Sequence, residues 1–152
     1  DRQEREDKYL KPPLDQQIDK RTSRMQERVE QWLGKVTAAQ RQRIHEWAEA
    51  LNEQNQLWLD NRAQWQRSMV DAVRNRDQAN FDERIARLLQ DREVYWTAPY
   101  RAAFPTVEQA TIDLIVDLYA TADATQRRHI DQRLQDMRRD LGSLDCLPAT
   151  AD

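Results

Sequence analysis

The side chains with reactive potential are few. His45 and His129 are the only histidines, Cys146 is the only cysteine, and Ser23, Ser68 and Ser143 are the only serines. A closed zinc centre takes several nitrogen or sulfur ligands, and neither histidine has another three or four positions away. No serine sits in a Gly-flanked elbow and Cys146 has no neighbouring base, so the spacing activates no nucleophile. Two isolated glycines cannot build a phosphate-cradling loop. The 27 acidic side chains are interleaved with arginine along amphipathic segments, which is the pattern of a solvated helical face rather than of an acid/base dyad. The expectation is therefore a protein that is not an enzyme, with no catalytic residue, no cofactor and no metal ligand.

The chemistry that remains is recognition. Trp47, Trp58 and Trp65 are separated by 11 and 7 residues, steps that return a helical side chain to within about 20° of its starting direction. On an unbroken helix they form one stripe. Its first expected role is core packing against residues 112–119, because aromatic rings dominate buried area. The alternative is a partly open groove, in which Trp47 and Trp65 rimmed by Arg62, Arg67 and Arg74 contact an apolar client or a partner helix. Trp58, flanked by Leu57 and Leu59, is expected to be the most buried of the three. Trp65, among Gln64, Gln66 and Arg67, is expected to keep solvent access.

Such surfaces need elements to carry them, and the clearest element signals are two caps. Thr37 with Gln40 and Arg41, and Asp123 with Gln126 and Arg127, each follow a break after an apolar run. In each, the first large apolar residue (Ile44 or Ile130) falls four positions after the Gln. The Thr or Asp side chain can accept from the backbone N–H three residues on, while the Gln reaches back to the cap. Both boxes are predicted to be helix N-termini, and their matching phase suggests two related helical segments.

Upstream of the first box, Ile18, Met25, Val29, Trp32 and Leu33 share one face of a helix that begins near Asp15, and Gly34 can end it in a left-handed cap. From Thr37 no Gly (or Pro) intervenes before Pro99, and Ile44, Leu51, Trp58, Trp65 and Ala72 recur every seven residues. One helix over residues 37–76 follows, up to about 40 residues and about 60 Å long. Asp77 can cap a shorter helix carrying Phe81, Ile85, Leu88 and Leu89. Thr97 starts another with Pro99 in its first turn; Pro105 either kinks it or lets Thr106 and Gln109 cap a separate helix. Ile112, Leu114, Ile115, Val116, Leu118 and Tyr119 are apolar on nearly all sides, the mark of a helix at the centre of a bundle. Ile130, Leu134, Met137 and Leu141 line the last helix, which Gly142 is expected to end.

With 152 residues, 39% hydrophobic content and a mean hydropathy of −1.03, the chain can bury a core only if its apolar residues are tightly patterned. No segment alternates as a strand does, so the expected fold is all-α: an elongated bundle of about five amphipathic helices. Residues 1–12 read as the end of a preceding helix or a linker, 13–142 as the bundle, and 143–152 as a tail holding Cys146. Net charge is −3 and the twenty arginines are dispersed among the acids, so nucleic acid is not an expected partner. Within these residues no segment reads as a signal peptide and none is an 18-residue apolar run. The opening residues look like a helix already under way, which suggests a targeting segment upstream.

The run over residues 28–41, then Trp47, Leu57-Trp58-Leu59 and Trp65, then Tyr95-Trp96-Thr97-Ala98-Pro99-Tyr100-Arg101 and finally Gln126-Arg127, resembles an uncharacterised family of Gram-negative envelope lipoproteins. The similarity covers residues 13–141 and implies a periplasmic protein, joined to a membrane only through a lipid anchor outside this chain. The two boxes also resemble the paired Leu-Thr-x-x-Gln motifs of the Spy/CpxP-type periplasmic helical proteins, although Val36 replaces the first Leu and Ala122-Asp123 the second Leu-Thr. That likeness implies a chaperone-like or adaptor role with client polypeptides as partners. The competing expectation is a structural or assembly subunit with one dedicated envelope partner. A metal-sensing or hydrolytic protein is the least supported.

Overall fold

The computed structural model describes residue 4 and residues 10–52 and 54–144. These residues are all-helical: α1 (Leu14–Leu33), α2 (Ala38–Ala50), α3 (Gln54–Arg74), α4 (Phe81–Gln90), a 3-10 turn (Arg92–Tyr95), α5 (Ala98–Ala120) and α6 (Ala124–Leu144). The expectation for residues 1–3 and 5–9 and for Cys146 lies outside the described residues.

The hairpin α1–α2 carries the two C-terminal helices on its flanks: α1 lies against both α2 and α6, and α2 lies against α5. The core joins Leu33, Ile44, Trp47, Ala48 and Leu51 to Leu114, Leu118 and Ala122. Beside it, α3 packs on α4 and the 3-10 turn.

Both boxes cap helices. Gln40 N–H donates to Thr37 Oγ1 at 3.2 Å and Thr37 N–H to Gln40 Oε1 at 2.9 Å. In the second box Gln126 N–H donates to Asp123 Oδ1 at 2.9 Å and Asp123 N–H to Gln126 Oε1 at 3.1 Å. The structure adds what the boxes do to each other. Gln40 Nε2 donates to Gln126 Oε1 at 3.0 Å and Gln126 Nε2 to Gln40 Oε1 at 2.8 Å, both side chains being buried. Each amide oxygen thus serves its own helix end and the other glutamine. The two glutamines form one buried unit that joins the two caps, whose Thr37 and Asp123 are exposed, and Val36 and Ala122, which precede the caps, are buried beside it.

The helix predicted over residues 37–76 is two helices. α2 stops at Ala50, Asn52 takes a left-handed φ of 39°, and α3 begins at Gln54. Asn tolerates that conformation better than most side chains. The end is held from another element: buried Arg21 of α1 donates to Ala48 O at 2.6 Å and to Asn52 O at 3.1 Å. A guanidinium from elsewhere thereby satisfies carbonyls that the ending helix leaves open. Burial, and secondarily Arg24, holds the Arg21 pKa below its ordinary value.

Two further boundaries, at the start of α4 and the end of α6, differ from expectation, and at Pro105 one of the two expected alternatives holds. α4 begins at Phe81 after a turn, with Asn80 rather than Asp77 in the cap position. α5 runs through Pro105, so Thr106 starts no separate helix. α6 continues through Gly142 to Leu144.

Candidate functional site

The break after α2 removes the single tryptophan stripe. Trp47 is only 7% exposed, packs in the core from α2 and donates from its indole to Thr111 Oγ1 at 3.2 Å. Packed there, it leaves little of its ring exposed. Trp58, expected to be the most buried, is 37% exposed, with the Arg62 guanidinium 5.5 Å from its ring. Leu59 and Ala63 are the residues that α3 turns inward there. Trp65 is half-buried, and its indole donates to Leu88 O at 2.9 Å.

The proposed arginine rim is divided. Arg62 and Trp65 share a cleft with Arg92, Tyr95 and Trp96, whereas Arg67 and Arg74 line a shallow surface with Val70. Arg62 Nε is buried with no hydrogen-bond partner among the described residues. Next to this cleft Trp96, Tyr100 and Phe104 cluster, Trp96 lying 5.2 Å from Tyr100 edge-to-face and 4.6 Å from Phe104 at a tilt. Burial pushes the Tyr100 hydroxyl pKa up. The histidines are separated: His45 approaches Thr22 Oγ1 at 3.3 Å and Glu49 at 3.5 Å, while His129 lies over Gly34. Among the described residues no group of three or more His, Cys, Asp or Glu could hold a metal ion.

A strongly apolar concavity lies elsewhere. A groove of about 380 Å³ opens between α1, α5 and α6. Met25, Val29 and Trp32 form one wall, Ile115 and Tyr119 the other, Leu33 and Leu118 the floor, and Ile130 closes the α6 side. The segment predicted to be central because it is apolar all round is central on one side only. Leu114 and Leu118 are buried, whereas Ile112, Ile115, Val116 and Tyr119 are exposed, Ile115 by 61%. Their i, i+3, i+4, i+7 spacing puts them on one face of α5. Three arginines edge this surface. Arg28 lines the groove, Arg127 lies 5.1 Å from the Tyr119 ring and Arg133 6.0 Å from the Trp32 ring. Rings and cations at these distances attract one another weakly. The arrangement can hold an apolar segment and pair with carboxylates beside it. The sequence carried the signal in the excess of apolar residues over 112–119, more than one buried stripe can use.

An all-α bundle built on two interlocked capping boxes, with an apolar groove on one flank, is the class these features define. The chain belongs to a family of unknown function, DUF6279, whose sequence profile matches residues 1–101. The match includes α1, α2 and the first box, while the groove also draws on α5 and α6 beyond residue 101. No curated protein and no solved structure matches the chain. No helix among the described residues is long and apolar enough to cross a membrane.

Proposed function

We propose that this chain is a non-enzymatic protein-binding domain of the cell envelope, chaperone-like or adaptor in role, that takes apolar polypeptide segments in the groove between α1, α5 and α6. One observation carries the reading: Ile112, Ile115, Val116 and Tyr119 form a continuous exposed apolar face beside that groove, in a chain whose mean hydropathy is −1.03. Large contiguous apolar patches on otherwise polar surfaces mark interaction sites. The fitting partner is an amphipathic segment with apolar side chains at helical spacing, flanked by carboxylates that meet Arg28, Arg127 and Arg133. A periplasmic location and a lipid anchor in a longer form belong to the same proposal and rest on the resemblance of residues 13–141 to envelope lipoproteins.

Calorimetric titration with a synthetic peptide carrying Leu at i, i+3, i+4 and i+7 and Glu on both flanks tests it. The intact chain should bind, more weakly as salt is raised, and Ile115→Asp should abolish the heat of binding. Equal binding by Ile115→Asp would remove the groove from the account.

A further inference from the structure

The apolar stripe of α6 extends past the part of that helix that reaches the core. Ile130 packs against the core cluster, but Leu134, Met137 and Leu141, on the same face, are 51%, 42% and 62% exposed. The 4-3-4 spacing of these four residues is the a/d repeat of a coiled-coil seam, with Leu134 and Leu141 at a, Ile130 and Met137 at d. The flanking positions then fall to Asp131 and Arg138 at e, Arg133 and Asp140 at g.

From this pattern the geometry points to a homodimer in which α6 pairs antiparallel with α6 of a second copy. In an antiparallel pair a residues face d residues, so Leu134 meets Met137 and Leu141 meets the outer edge of Ile130 in the second copy. The e positions then pair with e and the g positions with g. Asp131 meets Arg138, Arg133 meets Asp140, and the two-fold axis repeats both pairs. All four ion pairs are complementary. A parallel pair instead sets g against the following e, which brings Arg133 against Arg138. The charge pattern therefore selects both the occupant, a second copy, and its direction. This surface lies next to the groove, and the inference does not depend on the proposed peptide binding.

Sedimentation velocity on the full chain and four variants tests it, with Asp131 and Arg138 chosen because Arg133 also touches Trp32. The native chain should dimerise reversibly, and Leu141→Asp should be a folded monomer. Arg138→Glu faces Asp131 with a like charge, and Asp131→Arg faces Arg138 with another; each alone should weaken self-association about tenfold or more. Mixing the two single variants restores every e-to-e pair, so the mixture should form heterodimers close to native affinity, as should homodimers of the double variant Asp131→Arg/Arg138→Glu. Circular dichroism checks that each variant is folded. A native chain that stays monomeric at high micromolar concentration overturns the proposal, as does dimerisation indifferent to these charges or not restored by mixing.

Discussion

Gln40 and Gln126, 86 residues apart, exchange side-chain amide hydrogen bonds at 3.0 and 2.8 Å while each oxygen also accepts the backbone N–H of its own cap. Gln126 Nε2 additionally donates to Lys35 O at 2.9 Å. Buried polar groups are stable only when satisfied, so each glutamine depends on the other.

Truncating either one leaves the partner amide buried and short of a hydrogen bond, and it also opens a capping box. Gln40→Ala and Gln126→Ala should each cost about 1–3 kcal/mol in urea unfolding. The double variant should cost less than the two together, with a coupling of about 0.5–3 kcal/mol. Strict additivity would show that the pair is not one unit.

Asp123→Ala removes the acceptor for the Gln126 N–H and for the Thr125 N–H at 2.8 Å. A loss of about 0.5–2 kcal/mol is expected from thermal or urea unfolding.

Trp47→Ala empties a buried core position and should cost about 3–5 kcal/mol. Trp58→Ala, at a ring 37% exposed, should cost clearly less. Chemical denaturation of the two variants side by side orders them, and a Trp58 variant as unstable as the Trp47 variant would contradict the burial described above.

Arg21→Met keeps most of the aliphatic bulk but withdraws the donors to Ala48 O and Asn52 O. The cost should be about 1.5–3 kcal/mol, as for hydrogen bonds to a charged group. Hydrogen exchange should quicken first at the junction of α2 and α3.

The capping boxes could be read in the sequence because a cap is local: the residue that accepts and the N–H that donates lie three positions apart. The helix class and the apolar faces of α1, α2 and α6 follow from the same short-range periodicity. The break at Asn52 could not be read that way. The group that holds it, Arg21, lies 31 residues earlier on another helix, and the seven-residue spacing of Ile44, Leu51, Trp58 and Trp65 fits two helices joined by a turn as readily as one. Only an unbroken helix aligns Trp47 with Trp65, so the break at Asn52 also separates the two rings. The groove is hard to read for the opposite reason: all-round apolarity over residues 112–119 predicts burial, yet four of its six large apolar side chains face solvent.

The central claim, that an apolar polypeptide is held by the groove of α1, α5 and α6, is tested most directly by light scattering of an unfolding client protein in the presence of the intact chain, of Ile115→Asp, and of Trp65→Ala. Ile115 stands on the exposed face of α5, so its variant should fold normally and lose suppression of client aggregation, whereas Trp65→Ala, in the other cleft, should retain it. Suppression that survives Ile115→Asp, or that disappears only with Trp65→Ala, would contradict the account.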